Sequence, residues 1–185
     1  RQIAAMETGD LASLSTDKIA ALTGGQVTSL TSTQVRALTN GQVAAIETND
    51  LAVLKKGHWD AFSTTQIQAL STDQIAGLKR AQLTMLSTGA VSALTTDQIA
   101  ALNASRLQSL TSQQIAALTT DQLTALTTDQ VVSLRPDQIS DISAGRFGSL
   151  TTDQVNALTA SQLSRLTASQ LNALDGSHLS AISTS

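Results

Sequence analysis

Thr95-Thr96-Asp97-Gln98-Ile99-Ala100-Ala101-Leu102 is the stretch on which the reading of this chain turns. Its opening Thr-x-x-Gln has the form of a capping box, in which the Thr hydroxyl accepts a backbone N–H one turn into a helix and the Gln side chain reaches back to the N–H of the cap. Ile99 and Leu102 follow at a spacing of three, which places both on one helical face. Asp97 falls in the first turn, where a carboxylate favours the positive end of the helix dipole. Thr119 to Leu126 repeats the unit almost unchanged.

Set in rows of eight, the whole chain follows this unit. One column holds Leu14, Leu22, Leu30, Leu38, Ile46 and Leu54 and runs without a gap to Leu174 and Ile182. A second, three residues earlier, begins Ile3, Leu11, Ile19, Val27 and continues to Leu171 and Leu179, apolar throughout. The cap column is Thr or Ser in sixteen of its twenty-three occurrences, and Asn103 and Asp175 are equally good caps, so helix initiation is written eighteen times. The single proline, Pro136, comes directly after the cap column, at the first helical position, where its missing N–H costs little. Residues 1–185 therefore read as one array of about twenty-three octapeptides, cut from a longer protein because the chain starts and stops inside the pattern.

Geometry selects the way such an array folds. One continuous helix would turn its apolar stripe by about 80° per octad, which no flat partner covers. Disorder is argued against by two apolar columns kept in every repeat. A strand places the two columns on opposite sheet faces and fills the rest with Ala, Gln and Asp, which strands disfavour, although a β-solenoid with two repeats per coil stays open as the alternative. The expected fold is all-α: a right-handed solenoid of very short helices, one per octad, each running to the Leu column. A helix of about six residues does not survive alone, so stability is collective and nearest-neighbour in kind. With the apolar columns inside, Leu102→Asp is expected to unfold at least the adjoining repeats, and Gln98→Ala to cost about 1 kcal/mol or less.

Composition limits the functions. The 185 residues carry 11 basic and 14 acidic side chains, thinly spread, for a net charge of −3. No basic stripe is present to neutralise phosphates, so nucleic acid is not an expected partner. No apolar run reaches the roughly 20 residues that span a bilayer, so membrane insertion is not expected either. Cysteine is absent, the two histidines stand far apart, and the aspartates recur one per octad instead of clustering. No metal site, cofactor or catalytic constellation is expected, and the Ser and Thr residues are accounted for as caps.

The unit Lys55-Lys56-Gly57-His58-Trp59-Asp60-Ala61-Phe62 departs most from the rule. As a site it would be a partner patch of Lys55, Lys56, His58, Trp59 and Phe62. As structure, Trp59 and Phe62 stand in phase in the two core columns, and this reading is preferred, with His58 a solvent-facing substitute in the Gln column. Ser143 to Leu150 is similar, with Phe147 in a core column. Gly9, Gly25, Gly41 and Gly57 recur every sixteen residues, a pattern of either geometric or duplication origin.

Units such as Leu94-Thr95-Thr96-Asp97-Gln98 and Leu126-Thr127-Thr128-Asp129-Gln130 resemble the Thr/Gln-rich tandem repeats of very large bacterial secreted or cell-surface, adhesin-like proteins. The resemblance covers residues 1–185. It implies a spacer or stalk outside the cytoplasm. Gly/Asp nonapeptides that bind calcium in some such proteins are lacking here. The second reading is a binding module that shows Thr rows or variable residues to carbohydrate, mineral, ice or a protein; an exposed row at Thr96, Thr120, Thr128 and Thr152 would favour it.

Overall fold

A computed structural model describes residues 3–183. After a short 3-10 turn at Ile3–Ala5 come twenty-two α-helices, numbered α1 (Thr8–Ser13) to α22 (Gly176–Ser183) in chain order, one per octad, with no strand among the described residues. The β-solenoid alternative is thereby excluded. The helices up to α21 have four to six residues, as the octad demands. They stop short of the Leu column, contrary to expectation: in α4 (Ser32–Ala37) and α9 (Thr72–Gly77), Leu38 and Leu78 are C-caps with extended backbone, ψ near 137°. That extended residue turns the chain into the next cap. No described residue has a positive φ, so the turn is made without glycine.

The array divides into two compact units, Arg1–Ala101 and Leu102–Ser185. Within each, a helix packs on the one three places further along, α2 (Thr16–Ala20) on α5 (Asn40–Ala45) in the first and α13 (Ala104–Ser109) on α16 (Thr128–Ser133) in the second. Three octads, 24 residues, therefore make one coil. Both apolar columns fill the space between coils, from Val35 and Leu38 to Val155 and Leu158. The column of Ile99 is covered by the following coil. Leu171 and Leu179, in that column but late in the chain, are accordingly 44% and 50% exposed, while Leu11 and Ile19 are buried. The Leu column needs the preceding coil, and Leu14 and Leu22 are only half-buried.

The caps form as the sequence specifies. Thr95 Oγ1 accepts from Gln98 N at 3.2 Å, and Asn103 Oδ1 from Arg106 N at 3.0 Å. Pro136 opens α17 (Pro136–Ser140). Ser143 is a correction: it makes no cap hydrogen bond, and Arg146, three residues on, has no acceptor to return to its N–H. Asp175 caps α22 through Ser177 N at 2.9 Å and His178 N at 3.1 Å. The Ser177 hydroxyl first, then the His178 N–H, hold its carboxyl down to about 2. A depressed carboxyl stabilises the folded state above its ordinary range and loses that effect as pH falls through the folded value. Acid titration followed by carboxyl NMR should place Asp175 near 2, and the end of α22 should fray between about pH 4 and 2 while the interior coils hold.

None of Gly9, Gly25 and Gly57 has anything within 4 Å of where a Cβ would stand, and at Gly41 the nearest atom, Thr16 Cγ2, lies at an ordinary 3.8 Å. Their sixteen-residue spacing is no packing requirement. Gly148 differs, since a Cβ there would meet the Ala173 carbonyl oxygen at 2.5 Å, where α18 (Ala144–Phe147) packs on α21 (Ala168–Asn172). Gly148→Ala should therefore destabilise by about 1–3 kcal/mol, because backbone must move. Gly145→Ala, with open space around it, should be neutral or stabilising by about 0.4–1 kcal/mol in urea denaturation.

Candidate functional site

The Gln column is the principal finding at the level of side chains. Gln98 is 2% exposed, and its carboxamide joins two helix ends. Oε1 accepts from Thr95 N at 2.8 Å, completing the capping box of α12 (Thr96–Ala100). Nε2 donates to Leu70 O at 2.6 Å and Ile67 O at 3.0 Å, carbonyls at the end of α8 (Thr64–Ala69). The end of a helix leaves carbonyls such as Leu70 O without intrahelical partners, while Ile67 O also accepts from Leu70 N, and here both are met from a residue 28 and 31 positions downstream. Gln66 does the same for Val35 and Leu38, Gln154 for Leu123 and Leu126, Gln162 for Val131 and Leu134, and Gln170 for Ile139 and Ile142. These glutamines are therefore inside the structure, and the expectation that Gln98→Ala costs about 1 kcal/mol or less does not stand.

Where Gln is replaced, the replacement keeps a donor in several repeats. Expected to face solvent, His58 is only 8% exposed. Its Nδ1 accepts from Lys55 N at 3.1 Å, and Nε2 lies 3.0 Å from Leu30 O, so one ring spans the gap that the Gln amide spans elsewhere. That geometry requires the tautomer with hydrogen on Nε2. His178 reaches Leu150 O at 2.8 Å in the same way, and Arg146 donates to Ala116 O.

The candidate patch is distributed between surface and interior. Lys55 and Lys56 are exposed, and Lys56 pairs with Asp60 at 2.7 Å. His58 and Trp59 are buried, Trp59 at 1%, while Phe62 is half-buried with its ring 5.5 Å from that of Trp59 and tilted by 53°. Only the two lysines and part of Phe62 reach a partner from solvent. In unit 2, a shallow hollow of about 500 Å³ is lined by Pro136, Asp137, Ser140, Ser161, Ser164 and Arg165. Asp137 is held below the usual carboxylate range by hydrogen bonds from Arg135 and then Ser112.

The second threonine column behaves differently from the first. Thr96, Thr120, Thr128 and Thr152 are all exposed. First-column hydroxyls such as that of Thr95 are engaged as caps. Among the described residues no group of three His, Cys, Asp or Glu is placed to hold a metal ion, and no helix is long and apolar enough to cross a membrane.

Comparison with known protein families matches the ALTTAQ repeat at residues 3–40, 43–80 and 105–136, more than half of the chain. The chain belongs to the ALTTAQ repeat family. Curated proteins yield no match. The second ALTTAQ segment includes both His58 and Trp59, so the most divergent octad lies inside a recognised stretch of repeats. The structure gives the ALTTAQ glutamine its reason: cap and bridge are made by one amide. The chain is a structural repeat protein, built of similar octads, most of which carry the bridging glutamine.

Proposed function

We propose that the array is a spacer or stalk in a larger secreted or cell-surface protein, and that it carries no catalysis of its own. The observation behind this reading is the Gln bridge, which joins each coil to the one before it in both units through buried side-chain hydrogen bonds. Pulling coils apart exposes those carbonyls and both apolar columns together, so a segment of this kind resists extension while its length follows copy number. The extracellular setting rests on the resemblance of the octads to repeats of large bacterial surface proteins. Single-molecule stretching tests the mechanical part: coils should release in steps of about 80 Å, from 24 residues at roughly 3.4 Å each. Smooth extension at low force would count against a spacer. Display on a cell surface with fewer coils should shorten the reach of a terminal module in proportion.

The exposed second threonine column favours a second reading, a surface that binds carbohydrate or a crystalline face. A glycan array together with a thermal-hysteresis assay decides it. A specific hit lost on replacing Thr128 and Thr152 by Val would move the assignment from spacer to binding module.

A further inference from the structure

The position that should bridge Trp59 and Phe62 is residue 90, 31 and 28 residues downstream, and it is Ala. In most octads that position supplies the amide, as Gln98 does to Ile67 and Leu70. Ala90 N still donates to Ser87 Oγ at 3.0 Å, so the hydroxyl half of the cap is kept and the amide half is missing. A cavity of about 180 Å³ lies there, lined by Trp59, Phe62, Ser87, Gly89 and Ala90 among others. Trp59 is 1% exposed, and its indole Nε1–H is buried without a hydrogen-bond partner. A buried donor left in this way is rare and unfavourable.

We propose that this cavity is a binding slot for a small primary carboxamide, which takes the place of the absent glutamine side chain. The complementarity is read from the other coils. There, an amide oxygen accepts from the cap N–H and an NH₂ group donates to the two carbonyls at the end of the earlier helix. At the slot those roles fall to Ser87 N–H, Trp59 O and Phe62 O. A carboxamide oxygen has a second lone pair for the indole N–H, and its alkyl end meets the aromatic rings. The volume lies below the roughly 300 Å³ at which drug-sized ligands begin, so the ligand is of side-chain size. Propionamide, the glutamine side chain with hydrogen in place of Cα, is the natural probe. The slot is independent of the spacer reading, since it lies within unit 1 and uses no neighbouring module.

Trp59 is the only tryptophan, so its indole N–H gives one resonance and its emission one signal. Propionamide titrated into the full chain should shift that resonance saturably. 2-Butanone and propionate, which lack the N–H donors, should bind at least ten-fold more weakly. Ala90→Gln should fill the slot from within, raising the midpoint of thermal unfolding and abolishing the propionamide response. The proposal is overturned by a linear, unsaturable shift, by equal affinity for 2-butanone and propionamide, which marks a merely apolar hole, or by a response that survives in a folded Ala90→Gln chain. Should that variant not fold, the ligand series on the unsubstituted chain decides alone.

Discussion

Gln98→Ala should destabilise the array by about 3 kcal/mol, whereas Gln26→Ala, the same change at the same place in the octad, should cost less than about 1 kcal/mol. Both residues close capping boxes, Thr95 N to Gln98 Oε1 and Thr23 N to Gln26 Oε1, each at 2.8 Å. They differ in what lies behind them. Gln26 is exposed, so its loss removes a cap bond that water replaces. Gln98 is buried, and its removal leaves Leu70 O without its donor, Thr95 N–H without its acceptor, and a cavity between coils. Orphaned buried polar groups cost about 1–3 kcal/mol each, and Ile67 O, which keeps the Leu70 N–H, adds little. Urea unfolding of the two variants measures the difference directly. Equal effects would show that the bridge contributes nothing beyond the cap.

The second large effect concerns register. Deleting Thr39 to Phe62 removes 24 residues, one coil, and joins Leu38 to Ser63. Gln66 then stands where Gln42 stood, with Leu11 and Leu14 carbonyls before it, and Gln74 and Gln82 take the places of Asp50 and His58. The shortened chain should fold with its helix content per residue unchanged. Deleting only Thr39 to Gln42 removes one cap and one bridge and moves every later apolar column by half a repeat, which should cost several kcal/mol and split the unfolding transition in circular dichroism. The longer deletion also excises the whole Lys55 to Phe62 unit. If folding survives it, that unit is dispensable to the scaffold. Collapse after the 24-residue deletion with tolerance of the four-residue one would refute the coil described here.

The caps and the core were legible because their partners lie within one octad. Thr95 and Gln98 share one capping box, and Ile99 and Leu102 stand three residues apart in one octad; local periodicity reports such pairs. The bridge was not legible, since Ile67 and Leu70 stand 31 and 28 residues before Gln98 and nothing local says which earlier helix a given helix meets. One signal was available. A capping box uses only the amide oxygen, and two N–H donors remain to be placed. Of the residues that interrupt the Gln column, His58, Arg146 and His178 retain a donor that meets an earlier carbonyl, as an inside position requires, whereas Asp50 and Ala90 do not supply one. Likewise Trp59 and Phe62 were legible as core residues by phase, but Ala90, which makes room beside them, was hidden by its distance along the chain.

Burial of the bridging amides bears on how such a chain ages. Glutamine is among the thermolabile residues, and hydrolysis to glutamate would set a carboxylate against carbonyl oxygens that need a donor. Water has to reach the amide carbon first. Gln98, Gln138 and Gln170, at 2%, 0% and 1% exposure, keep it away, whereas Gln68 and Gln113, which lie outside the bridging column, are exposed. Chemical wear in a long-lived sample should thus fall first where the scaffold loses least.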